Sequence, residues 1–151
     1  MIEERVATHS EQQTRSAGAR LAAELEPGDV VLLVGGLGAG KTTFVQGLAG
    51  GLGYTGEVTS PTFTLVQTYR GRLDVMHADL WRLERLQELI DLALDEGLES
   101  GGVLVAEWGE GALELFGADA LVVHFGPGRT EADRELTFEA LGPSFARRMA
   151  A

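Results

Sequence analysis

Residues 35–42 read Gly-Gly-Leu-Gly-Ala-Gly-Lys-Thr and lie between a five-residue apolar run, Val30–Val34, and a helix-forming stretch from 42 to 52. No other feature constrains the chain as much. The spacing G-x-x-x-x-G-K-[ST] demands a strand before it and a helix after it, because the loop must curl until successive backbone N–H groups converge on one point. Glycine permits the curl, and the start of the helix adds the positive end of its dipole. Such a nest holds phosphate. Gly35, Leu37, Gly38, Ala39, Gly40, Lys41, Thr42 and Thr43 are therefore candidate nucleotide-binding residues. Lys41 is expected to reach the outer phosphates, and the Thr42 hydroxyl to take one position on Mg2+. A glycine-rich turn that merely preceded Lys-Thr would not need the flanking strand and helix.

The charge count sharpens this. Of the 12 basic residues only Lys41 is a lysine, and the formal net charge of the 151-residue chain is −11. An acidic surface repels phosphate backbones, so strong direct binding of nucleic acid is not expected. Cysteine is absent, which removes disulfides and thiolate metal sites. No apolar run is long enough to span a bilayer, and the polar N-terminus has no signal-peptide pattern, so a cytoplasmic protein is the simplest expectation.

Periodicity fills in the rest. Ser10-Glu11-Gln12-Gln13 has the form of a capping box, followed by Ala17, Leu21 and Leu25 on one helical face and a break at Pro27-Gly28-Asp29. In the helix after the loop, Gly47, Gly50 and Gly51 lower the intrinsic propensity and require compensation by packing. Residues 63–69 and 73–79 read as antiparallel strands around Arg70-Gly71-Arg72. Leu86, Leu89, Ile90 and Ala93 have helical spacing, 103–106 is a buried strand, and 120–125 and 134–140 form a final antiparallel pair. These elements predict one α/β P-loop domain over 1–151. Its sheet is mixed, with parallel core strands, antiparallel hairpins and helices on both faces. The ends, 1–9 and 144–151, read as flexible, the latter as a short helix or a frayed tail.

Chemistry on a nucleoside triphosphate requires a carboxylate near the metal, at the C-terminal end of a strand beside the loop strand. Asp79 and Glu107 qualify; with Lys41 they are the candidate catalytic residues, and with Thr42 the candidate metal-site residues. Asp79 could instead cap a following helix, and Glu107 could form a strand-end salt bridge, with Arg82 available. Trp108 is placed either to stack on a base or to fill the core. Thr62, after Ser60-Pro61, is placed as a switch residue sensing the γ-phosphate or as a polar strand starter. His77 reads as a satisfied buried histidine.

The segments 35–43 (GGLGAGKTT), 60–69 (SPTFTLVQTY), 77–83 (HADLWRL) and 105–110 (VAEWGE), in that order, resemble the bacterial TsaE family. The resemblance spans nearly the whole chain. It implies a magnesium-dependent ATPase required for threonylcarbamoylation of adenosine 37 in tRNAs that read codons starting with A, acting with TsaD and TsaB. It implies a P-loop α/β fold, ATP and Mg2+ as ligands, Asp79 and Glu107 as metal-site acids, Thr62 in the switch segment and Trp108 beside the nucleotide. Two positions depart from the family pattern: Gly36 replaces an acid in the loop, and Trp81 replaces a common tyrosine. A small-molecule kinase would need an acceptor pocket and an arginine-bearing lid, for which Arg82 and Arg85 are available. A guanine reader of the N/T-K-x-D kind would need a second lysine, which the chain lacks. An assembly factor that binds ATP without turnover remains a third alternative.

Overall fold

The computed structural model describes residues 2–36, 38–61, 66–79, 94–107 and 119–150. In chain order these form β1 (Ile2–Thr8), α1 (Glu11–Ala22), β2 (Val30–Val34), α2 (Lys41–Gly51), β3 (Val66–Tyr69), β4 (Val75–Asp79), α3 (Leu94–Glu99), β5 (Val103–Glu107), β6 (Ala120–Pro127), β7 (Arg134–Leu141) and α4 (Pro143–Ala150). The predicted helix around Leu86–Ala93 falls outside the described residues.

The strands make one mixed sheet in the order β1-β7-β6-β2-β5-β4-β3. β6, β2, β5 and β4 run parallel, while β1, β7 and β3 pair antiparallel at the two sides. Parallel strands covered on both faces read as unbroken apolar runs. β4 and β5 are buried throughout, as is β2 up to its last residue.

Side chains alternate between two cores. Val31, Leu33, Val75, Val103 and Val105 face α1 and α2, in a cluster that includes Phe44, Val45 and Leu48. Leu32, Met76, Ala78, Leu104 and Ala106 face the opposite side, where Leu94 of α3 joins them. This parity decides which face the strand-end acids occupy.

Ser10 caps α1, its hydroxyl accepting from the Gln13 amide at 3.1 Å. Gln13 reaches back to the His9 amide at 2.7 Å, one residue before the usual capping-box partner. Of the glycines of α2, Gly47 and Gly51 pack closely on α1, whereas Gly50 has nothing within 4 Å of where a Cβ would stand. A Cβ at Gly47 would overlap the Arg15 carbonyl of α1, and one at Gly18 the Phe44 carbonyl of α2. These glycines let the two backbones touch.

Residues 2–8 form a strand where the sequence suggests flexibility, and 143–150 form the short helix that it offers as one alternative. β1 pairs with β7 over seven residues, from Ile2 opposite Ala140 to Thr8 opposite Arg134. At the other end Phe145 of α4 enters the core, and Arg148 grips Asp29 with Nη1–Oδ2 at 2.7 Å and Nη2–Oδ1 at 2.9 Å. Among the described residues no helix is long and apolar enough to cross a membrane.

Candidate functional site

The loop after β2 turns into α2 with positive φ at Gly38 (73°) and Gly40 (98°), conformations that side-chain-bearing residues rarely adopt. Gly40 is the N-cap of α2 and contributes no side-chain hydrogen bond. The amides that open the helix, those of Thr42 and Thr43 among them, thus receive no hydrogen bond from an N-cap side chain, the arrangement of helix starts that bind anions. The Ala39 amide closes the curl on the Gly36 carbonyl at 3.2 Å. Leu37 lies outside the described residues.

Lys41 folds back across the loop and donates from Nζ to the Gly35 carbonyl at 2.9 Å. It is only 7 % exposed. Burial pulls its ammonium below the usual lysine range, while the negative charges of Glu107 and Asp79 act in the opposite direction. The two acids therefore lie within electrostatic reach of the lysine, as a shared site requires.

Strand register explains why. Leu33, the penultimate residue of β2, is opposite Glu107 of β5, which is opposite Asp79 of β4. Residues opposite one another in a parallel pair point to the same face, here the α2 face on which Leu33 packs. Asp79 and Glu107 thus end adjacent strands on the side where Lys41 begins its helix, and both are buried.

Among the described residues Glu107 has a partner, His77; Arg82, the arginine considered from sequence, lies outside them. His77 Nε2 meets Glu107 Oε2 at 2.5 Å, and His77 Nδ1 meets the Tyr69 hydroxyl at 2.8 Å. The expectation of a satisfied buried histidine is correct, but what satisfies it is a site residue. Burial pushes the Tyr69 hydroxyl up to about 12, with smaller contributions from Tyr54 and Glu107, so it stays protonated at neutral pH. His9 and His124, for which the sequence suggests no partner, meet Asp133 and Glu139, each at 3.1 Å.

Sequence reasoning also missed Arg134. From the first position of β7 its Nε donates to the Ala39 carbonyl at 3.1 Å and its Nη2 to the Gly38 carbonyl at 2.9 Å. A guanidinium fork thus ties two successive carbonyls of the loop to β7 and fixes the orientation of their peptide groups. No local pattern flags a residue 95 positions away.

Among the described residues no group of three or more His, Asp or Glu side chains forms a ready metal cage. Magnesium takes oxygen ligands and fills much of its shell with water and phosphate oxygens. Thr42, Asp79 and Glu107 carry oxygen donors of that kind. Thr62 and Trp108 lie outside the described residues. Beside Thr42 a cleft of about 530 Å³ runs along α2 past Gln46 and Gly50, walled opposite by Tyr54 and residues 56–60.

The profile of the family described as threonylcarbamoyl adenosine biosynthesis protein TsaE matches residues 8–136. The chain belongs to the TsaE family. Among relatives, the tRNA threonylcarbamoyladenosine biosynthesis protein TsaE of Treponema pallidum is 48% identical over 106 residues, covering 70% of this chain and 78% of that one. The protein of the same name from Bacillus subtilis is 40% identical over 136 residues, covering 89% and 84%. The crystal structure of Bacillus subtilis YdiB superposes with a TM-score of 0.83 at 32% identity, covering 99% of this chain and 92% of that one. The matched span includes the positions of the whole loop, Asp79, Glu107 and Arg134.

Proposed function

We propose that this TsaE-family protein, with its family's role in tRNA threonylcarbamoyladenosine biosynthesis, is a magnesium-dependent ATPase that acts with TsaD and TsaB. One observation carries the catalytic reading. The register Leu33–Glu107–Asp79 gathers two acids at the strand ends beside a phosphate loop, on the face that holds the only lysine. Loop amides and Lys41 would bind the β and γ phosphates, with Gly35, Leu37, Gly38, Ala39, Gly40 and Thr43 shaping the nest. Thr42, Asp79 and Glu107 would hold Mg2+, directly or through water. The ion would neutralise charge on the phosphate oxygens as the γ-phosphoryl group leaves. Water adds to the γ phosphorus, the bond to the bridging oxygen breaks, and ADP and inorganic phosphate result. Thr62 would sense the γ-phosphate and Trp108 would lie by the nucleotide.

Hydrolysis by the chain alone should be slow. Arg134, the arginine on the loop, already spends its donors on the carbonyls of Gly38, Ala39, Glu131 and Asp133, so it is not a ready arginine finger. A charge of −11 supports leaving the tRNA contact to the partners. The cleft beside Thr42 is the one observation favouring a kinase, since it could seat an acceptor. Transfer of labelled γ-phosphate to a metabolite would establish that alternative.

The test measures ATP hydrolysis and tRNA modification with and without TsaD and TsaB, for the wild type, Lys41→Ala and Glu107→Ala. Lys41→Ala should lose nucleotide binding, whereas Glu107→Ala should retain binding and lose modification. Full modification by both variants, or rapid turnover by the isolated wild type, would sink the proposal.

A further inference from the structure

We propose that Tyr69 and His77 are positioning residues for Glu107, with the Tyr69 hydroxyl fixing the imidazole so that its Nε2–H holds the carboxylate at the loop. This rests on reading Glu107 as an acid of the magnesium–phosphate site. The alternation that puts Val75 and Val103 in the α2-side core puts His77, Asp79, Val105 and Glu107 on that same face. Tyr69 joins them from β3, where it is opposite Val75. The result is a buried line from the sheet edge to the strand end. His77 is fully buried and Tyr69 is 3% exposed.

Proton bookkeeping gives the line a direction. An ionised carboxylate only accepts, so the hydrogen between His77 and Glu107 belongs to Nε2. In the neutral ring Nδ1 must then accept, and its neighbour at 2.8 Å is the Tyr69 hydroxyl, which donates. The phenol has one proton and two other acceptors beside it: Gln67 Oε1 at 2.7 Å and the Thr59 carbonyl at 3.3 Å. Turning the Gln67 amide about its last bond exchanges its 3.4 Å Nε2–Thr59 Oγ1 contact for an Oε1–Oγ1 one, sets N–H against the phenol oxygen and leaves the phenol proton to His77. The Thr59 carbonyl is the most distant of the three. Packing holds the tyrosine in place, its ring centroid 4.9 Å from that of Tyr54.

A histidine that merely fills the core would not care which nitrogen carries its hydrogen. Side chains that orient a metal-site group do, and removing them commonly costs about 10- to 100-fold in metal affinity or activity. The experiment combines 15N NMR of the imidazoles with Mg2+ titration of the ATP-loaded protein. It compares the wild type with Tyr69→Phe, His77→Gln, His77→Leu and Glu107→Ala. The chain has three histidines, and His77 is assigned by its loss in the variants. The wild type should show the Nε2–H form, and Tyr69→Phe should lose that preference. Mg2+ affinity in Tyr69→Phe should fall about 10-fold or more, with metal-free ATP binding unchanged. Gln keeps an N–H where Nε2 stood, so His77→Gln should bind Mg2+ better than His77→Leu. An Nδ1–H wild type, unchanged Mg2+ affinity in Tyr69→Phe, or equal loss in both His77 variants would overturn the assignment. If Glu107→Ala binds Mg2+ like the wild type, the underlying reading of Glu107 fails instead.

Discussion

Replacing Arg134 by Met tests whether the phosphate loop is held in shape from outside. Met keeps an unbranched stem on β7 and removes the fork on the Gly38 and Ala39 carbonyls, together with the bonds to the Glu131 and Asp133 carbonyls that lie outside the loop. Hydrogen bonds from a charged donor contribute about 1.5–3 kcal/mol each, and the lower figure applies to a partly exposed side chain. Two of them set a ceiling of about 3 kcal/mol on the ordering of the loop. Not all of it reaches binding. The freed carbonyls gain water, while the Ala39–Gly36 and Lys41–Gly35 bonds still restrain the curl. Because the fork exists before any ligand arrives, its loss weakens binding only by depopulating the competent loop. About half the ceiling, or 1.4 kcal/mol, corresponds to a roughly tenfold weaker apparent Kd for ATP with magnesium.

The assay is titration of the protein with a fluorescent ATP analogue, paired with denaturant unfolding of the same samples. Unfolding should change by less than about 1 kcal/mol, because the exposed carbonyls are rehydrated. Arg134→Lys separates charge from shape, since an ammonium cannot fork two carbonyls. It should bind as weakly as Met. Wild-type affinity in Arg134→Met would refute the shaping role. Wild-type affinity in the Lys variant alone would show that charge near the phosphates matters, not the fork.

Two further substitutions probe the scaffold beneath the site. Gly47→Ala should improve helix propensity by about 1 kcal/mol. It should nonetheless lower stability by about 1–3 kcal/mol in denaturant unfolding, because the new methyl overlaps the Arg15 backbone; a more stable variant would show that α1 and α2 can move apart freely. Arg148→Ala leaves the buried Asp29 carboxylate without its bidentate partner, although the Glu26 amide still donates to it. The expected loss is about 3 kcal/mol, read as a lower denaturation midpoint, and a loss under about 0.5 kcal/mol would show that α4 is dispensable.

What the sequence disclosed follows from the range of each interaction. The phosphate loop was legible because its parts are contiguous: strand, glycines, Lys41 and helix must follow one another. The strand-end positions of Asp79 and Glu107 were legible because each acid directly follows a buried run. β1 was not, since Ile2-Glu3-Glu4-Arg5 lacks an apolar stripe. An edge strand is stabilised by its ladder to β7, far away in the chain, and its charges guard a free edge. Arg134 was invisible on the same grounds, having meaning only across the 95 residues that separate it from Ala39. His77 is the intermediate case. Its spacing from Asp79 implied a common face, but the partner strand that carries Glu107 becomes its neighbour only through the register of β4 on β5. A slip of one residue in that register would turn Glu107 to the opposite core and leave His77 without its acceptor. The pairing of His77 with Glu107 therefore depends on the same register that gathers the two acids beside Lys41, and fold and site are specified by one set of strand contacts.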